Sequence, residues 1–346
     1  MRDAIDCDVH IAVPGMAALM PYLDDAWRDL ITTRGIGGLE LASYPPDAPM
    51  TCRPDWRGGT PLPTLQQAVF DGLGARLAIC NCLHGAQALH SEDLAAALCS
   101  AVNRWIAAEW LDRDPRLRAS IVVPVQNPQY AAAEIERWAD DPRFVQVLLL
   151  GMGEMLLGRR YYWPVYQAAT RHGLPVGIHA GSAYRHAPTS GGWPSHITQD
   201  SVNQTAGFEG QLLSLMGEGV FLEYPELRVV LIESGVTWLP PFIWRAIKSW
   251  RGLRTEAPWM RRSPGEFVRE HVRLTLQPFD APGAAEVERI VDQIGSDEVL
   301  LFSSDYPHWH FDGNAAIPAG LSPSLVRKMC VDNPLATYTR LKETVQ

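Results

Sequence analysis

Leu300-Leu301-Phe302-Ser303-Ser304-Asp305-Tyr306-Pro307-His308 is the stretch that decides how the chain is read. Its apolar run has the residue types of a buried strand, and it stops at two serines and an aspartate with a turn-forming proline behind them. A carboxylate at the exit of a buried strand needs a partner, because an isolated buried charge is costly. In a barrel of parallel strands, that exit is the end where functional side chains gather. Asp305 is therefore expected to close a site whose other members stand at the exits of earlier strands.

Working outward, Ala4-Ile5-Asp6-Cys7-Asp8-Val9-His10-Ile11 alternates like a strand, which puts Asp6, Asp8 and His10 on one face. Further strands are expected over 76–81, 117–123, 144–150, 175–179, 227–232, 272–276 and 299–302, each separated from the next by a helical pattern. Ser91 is a plausible N-cap for the helix running to Trp110. Gly173 occupies the C′ position after the helix 163–172, with Pro175 two residues on. Eight strands alternating with helices predict an α/β protein, a (β/α)8 TIM barrel, as one domain over 1–346. A proline-broken excursion over 14–75, holding Trp27 and Trp56, is expected to form a wall or lid. A second mouth segment over 182–217 begins with a polar loop containing Arg185, His186, Trp193 and His196. Gly151-Met152-Gly153 does not make a dinucleotide loop, since the third glycine of that fingerprint would fall at Leu156.

With 47% hydrophobic and 20% charged residues the chain is able to bury a core, and its net charge of −9 without a dense basic run argues against nucleic acid or an anionic membrane as partner. The acidic N-terminal residues do not resemble a secretory signal, and no apolar run approaches the ~18 residues of a spanning helix, so a cytoplasmic protein is expected. Six cysteines in 346 residues are read as reduced core thiols rather than a disulfide framework.

The strand order places Asp8 and His10 at the first exit, His179 at the fifth, Glu233 at the sixth and Asp305 at the eighth, so all would meet at one mouth. Three converging carboxylates repel one another unless a cation sits among them, and two imidazoles with two or three carboxylates suit zinc, manganese or a similar divalent ion. His172 reads as a helix-end cation, His271 as structural at the N-terminal end of a strand, and His84 and His90 as exposed loop residues.

These pieces resemble the amidohydrolase superfamily, in the branch of aminocarboxymuconate-semialdehyde decarboxylase and related metal-dependent decarboxylases. The matching residues are Ile5-Asp6-Cys7-Asp8-Val9-His10, His179-Ala180-Gly181, Tyr224-Pro225-Glu226-Leu227-Arg228, Glu233 through Pro240, Ser304 through His308, and Asn333-Pro334. The chain departs from the pattern at Asp8, where the decarboxylase has the first His of a His-x-His pair. It departs again at Val13, where many relatives carry Glu, and at Glu233, where the family has a sixth-strand His.

The resemblance implies a metal-dependent non-oxidative decarboxylase of a small aromatic or unsaturated carboxylic acid. One divalent ion, zinc or manganese, would be held by Asp8, His10, His179 and Asp305, with Asp305 or Glu233 moving the proton. Arg245, Arg185, His196 and His308 are candidates to meet the substrate, and Trp238 and Trp309 are candidates to line a flat pocket. A metal-dependent hydrolase of an ester, lactone or amide uses the same ligands and is the alternative. A metal-free ligand-binding barrel is a further one, motivated by Asp8 and Val13. A homodimer is expected by resemblance.

Overall fold

The computed structural model describes residues 3–39, 61–182, 191–308 and 311–342. Arg185 and Trp309, and part of each expected mouth segment, lie outside the described residues.

Eight parallel strands follow one another around a single sheet in chain order: β1 Ala4–His10, β2 Ala75–Asn81, β3 Leu117–Val122, β4 Phe144–Met152, β5 Val176–Ser182, β6 Val229–Ile232, β7 Val272–Thr275 and β8 Leu300–Leu301. The seam between β8 and β1 is drawn together by backbone bonds from Cys7 N to the Phe302 carbonyl (2.9 Å) and from Asp305 N to the Asp8 carbonyl (3.1 Å). A parallel bridge between Val9 and Tyr306 extends that seam past the end of β8. The chain thus forms the expected (β/α)8 barrel. Parallel strands buried on both faces explain the near-continuous apolar runs in β4 and β6.

Helices cover the outside, and their ends carry the signals read in the sequence. The Ser91 side chain accepts from Leu94 N ahead of the helix Glu92–Ile106. Asn127 caps Pro128–Trp138, and Gly173 turns left-handed (φ 63°) after Trp163–Arg171. A helix over Pro264–His271, with a Ser263/Glu266 capping box, is additional to the expected elements. Among the described residues of the excursion, Met16, Leu19, Leu23 and Ile31 pack into the core, so this segment is folded against the barrel. Past β8, the chain returns beneath the barrel, where Arg340 donates to the carbonyls of Ala139, Asp141, Phe144 and His172 at 2.8–3.3 Å. Tyr338 is fully buried beside it.

Two expectations are corrected. His84 is buried, not exposed: its Nδ1 accepts from Ala86 N at 3.2 Å, and burial pushes its imidazole down to about 4. His179 is not the last residue of its strand, since β5 continues to Ser182 past a register irregularity against β4. His271 is buried and structural as expected, with Nδ1 2.9 Å from the Leu227 carbonyl. The described cysteines, Cys7, Cys80, Cys82, Cys99 and Cys330, are free and buried. No helix among the described residues is long and apolar enough to cross a membrane.

Candidate metal centre

The C-terminal ends of the strands bring Asp8, His10, His179, Glu233, Asp305 and His308 into one cluster. His10 Nε2 stands 3.2 Å from Asp8 Oδ1, 3.1 Å from Glu233 Oε1 and 3.3 Å from Asp305 Oδ1. His179 Nε2 is 3.3 Å from Glu233 Oε1 and 3.9 Å from Asp8 Oδ1. His308 Nδ1 approaches Asp305 Oδ1 to 2.6 Å and Glu233 Oε1 to 2.9 Å, and its ring stacks on His10 with centroids 3.8 Å apart. Asp8, His179 and Asp305 are fully buried.

Local backbone geometry aims the two late carboxylates. Glu233 (φ 57°), the residue after β6, and Asp305 (φ 56°), four residues past the end of β8, both adopt the left-handed conformation. For a residue with a Cβ this costs roughly 1–2 kcal/mol, and such strain concentrates at functional sites. It is held by hydrogen bonds from Glu233 N to Thr275 Oγ1 (3.0 Å) and from Asp305 N to the Asp8 carbonyl.

The protonation pattern follows from crowding. Burial works against a charged His10, but the facing carboxylates of Asp8, Asp305 and Glu233 outweigh it and hold the imidazole well above its usual range. Burial would raise Glu233, yet His179, His308 and His10 hold it well below the usual carboxylate range. Asp305 goes the other way, raised by burial and by the Glu233 charge. Beneath them, burial lifts Asp6 to about 7, with hydrogen bonds from Ser304 N and Asp8 N to Oδ1 opposing the rise.

The donor set fits a divalent cation. Despite their closeness, His10 Nε2, His179 Nε2, Glu233 Oε1, Asp8 Oδ2 and both Asp305 oxygens are buried and complete no hydrogen bond among the described residues. Buried polar atoms are normally bonded, so this many orphans on neighbouring side chains call for a group that accepts several lone pairs at once. Two overlapping quartets have ligand atoms mutually within 4.8 Å: Asp8, His10, His179 and Glu233, and His10, Glu233, Asp305 and His308. His179 also shows the second interaction common in metal-binding imidazoles, with Nδ1 2.6 Å from the Ala180 carbonyl.

The other expected site residues among those described stand outside this cluster. Trp238 is buried, stacked 6.4 Å from Phe208, with an indole N–H that has no hydrogen-bond partner among the described residues. Arg245 is exposed on the helix Leu239–Leu253 and is not part of the cluster. His196 is exposed and belongs to the capping box of the helix Ile197–Gly217. A surface cleft of about 480 Å³ lined by Tyr22, Trp27, Arg104 and Glu134 contains none of the cluster.

A parallel barrel with a carboxylate–imidazole cluster at its C-terminal mouth defines a class of metal-dependent barrel proteins. The chain belongs to the amidohydrolase family, whose model matches residues 5–340. Among its relatives is a gamma-resorcylate decarboxylase of Polaromonas sp., 25% identical over 249 residues covering 65% of this chain and 71% of that one. Two solved structures share the fold. A 5-carboxyvanillate decarboxylase from Sphingomonas paucimobilis has a TM-score of 0.73 at 18% identity, over 98% of this chain and 99% of the other. A dihydroxybenzoic acid decarboxylase from Polaromonas sp., with bound manganese and the inhibitor 2-nitroresorcinol, has a TM-score of 0.71 at 19% identity, over 98% and 97%.

Proposed function

We propose that this chain is a metal-dependent, non-oxidative decarboxylase of a small aromatic or unsaturated acid bearing an oxygen substituent next to its carboxylate. The observation that carries the reading is the convergence of Asp8, His10, His179, Glu233 and Asp305, with their buried, unbonded donor atoms, at one mouth. The decarboxylase relatives support the reaction type, and manganese in a related structure supports the metal.

Asp8, His10, His179 and Asp305 would hold the ion. When bound, it supplies Lewis acidity toward a substrate oxygen and offsets the converging negative charge. In the metal-free site Glu233 is held low and Asp305 is raised, and on that asymmetry we divide the roles. Glu233 remains a carboxylate and orients the His10, His179 and His308 rings. Asp305 carries the proton and delivers it to the ring carbon that bears the substrate carboxylate. The carbon–carbon bond then breaks, its electron pair returns to the ring, and carbon dioxide leaves, so one proton is consumed per turnover. His308 Nδ1, 2.6 Å from Asp305 Oδ1, is placed to restore that proton.

The segments 14–75 and 182–217, together with Trp238, Trp309 and Arg185, are proposed to enclose the substrate. A cytoplasmic setting fits the free buried cysteines. A homodimer is proposed on the exposed apolar side chains Leu222 and Trp259, which both lie beside Gly219; light scattering on the purified chain tests it. The reaction is tested by loading the protein with Mn(II), offering a panel of ortho-hydroxybenzoates and measuring carbon dioxide. Metal-dependent release is expected. Ester or lactone hydrolysis without carbon dioxide would instead make it a hydrolase, and absence of metal uptake would make it a non-catalytic barrel.

A further inference from the structure

A chain of polar side chains runs through the middle of the barrel, where layers of aliphatic residues are the rule. Tyr338 OH donates to Gln146 Oε1 at 3.1 Å. Gln146 Nε2 donates to Ser120 Oγ at 2.8 Å, and Ser120 Oγ donates to Asn81 Oδ1 at 2.6 Å. Asn81 Nδ2 donates to Asp8 Oδ1 at 2.9 Å. Asn81, Ser120, Gln146, Tyr338 and Asp8 are all fully buried. Each member donates in the same direction, from the segment beneath the barrel toward the mouth.

The direction is determined at both ends of Asn81. Its Oδ1 accepts from Ser120 and, at 3.4 Å, from Gln146, so its amino group faces the other way and donates to Asp8 Oδ1. Room for the arrangement comes from β5. A Cβ on Gly177 would lie 2.6 Å from Gln146 Cδ and Nε2, so a side chain there would dislodge Gln146.

An aspartate ligand has a need that a histidine ligand meets for itself. His179 is oriented by its own second nitrogen against the Ala180 carbonyl. Asp8 has a short side chain with two equivalent oxygens, and nothing in its covalent structure selects which one faces the cluster. Asn81 makes that selection: it occupies one lone pair of Oδ1, the oxygen 3.2 Å from His10 Nε2 and 3.9 Å from His179 Nε2. It leaves the other lone pair for the cluster.

We propose that Asn81, itself fixed by Ser120 and Gln146, is the positioning residue that aims Asp8 Oδ1 into the metal centre. This inference rests on the reading above that Asp8 is a ligand. Its test is Mn(II) affinity, read from the electron paramagnetic resonance signal of free aqueous Mn(II), beside the melting temperature of the metal-free protein. Asn81→Leu is expected to weaken Mn(II) binding about 10- to 100-fold, the usual effect of removing the group behind a ligand. Ser120→Ala, which removes only a hydroxyl, is expected to weaken it less, and serves alone if Asn81→Leu does not fold. Tyr338→Phe removes the far end of the chain while Asn81 keeps both acceptor contacts, so it is expected to lower the melting temperature and leave affinity unchanged. Wild-type affinity in whichever of Asn81→Leu and Ser120→Ala folds overturns the proposal. So does an equal loss of affinity in Tyr338→Phe, which would mark a general weakening of the core. A wild-type chain that takes up no Mn(II) overturns the ligand reading itself, and this inference with it.

Discussion

Replacing Asp305 with asparagine separates the chemistry of its carboxylate from the shape of its backbone. Asparagine is nearly the same size and tolerates the left-handed conformation that Asp305 adopts at φ 56°. The amide N–H would still reach the Asp8 carbonyl at 3.1 Å, so the seam of the barrel is retained. What is lost is a fully buried carboxyl group with a raised proton affinity, 2.6 Å from His308 and 3.3 Å from His10. Removal of a positioned acid costs roughly 10²- to 10⁴-fold in rate, so carbon dioxide release should fall by about that factor. Thermal stability of the metal-free protein should hold or rise, because the carboxyl group crowded against Glu233 gives way to an amide that cannot ionise. Asp305→Ala loses the same chemistry and also the tolerance of the left-handed conformation that Asp and Asn share, so it should melt below Asp305→Asn. The assay pairs carbon dioxide release from Mn(II)-loaded protein with thermal unfolding of all three proteins. Turnover by Asp305→Asn within tenfold of wild type would refute the role given to this carboxylate.

Further outcomes follow from the rest of the molecule. Gly177→Ala should cost about 1–3 kcal/mol of stability, the usual range for overpacking a core, because the new methyl would meet Gln146 at 2.6 Å and Ile232 Cδ1 at 2.8 Å; urea denaturation measures it. His84 has a folded-state value of about 4 against 6.5 for the ordinary imidazole, so the unfolded chain binds more protons between those values. Its contribution is intact above about pH 6.5 and is lost as pH falls toward 4, by about 3 kcal/mol in all. His84→Asn, which keeps an acceptor for Ala86 N, should flatten that part of the stability profile. Arg340→Ala strips four carbonyls of a donor and should destabilise the fold by about 3 kcal/mol without touching the mouth.

The barrel was legible because parallel strands buried on both faces write themselves as apolar runs. Asp8, His10, His179, Glu233 and Asp305 were legible because each stands at or near the end of such a run. Boundaries were less so: β5 runs on through Ala180-Gly181-Ser182, and β8 is confined to Leu300–Leu301 because the seam continues as single bonds. The helix Pro264–His271 had a readable signal in Ser263-Pro264-Gly265-Glu266, the spacing of a capping box. The direction that the side chains of Arg245 and His196 take was not legible, since it depends on a rotation that residue type does not encode. His308 enters the cluster only because the turn after Asp305 folds back, with His308 N donating to the Asp305 carbonyl at 2.8 Å. Asn81 was hidden for another reason: a lone asparagine ending a strand looks like a turn residue until its partners on β1, β3 and β4 are seen.

The central claim is that the mouth of this barrel is a metal centre built from Asp8, His10, His179 and Asp305. The most direct measurement is an anomalous difference map collected at the manganese absorption edge from crystals of the Mn(II)-loaded protein. The account predicts a single strong peak within bonding distance of those four side chains. A peak elsewhere, or none at the mouth from protein that carries stoichiometric manganese in solution, would contradict it.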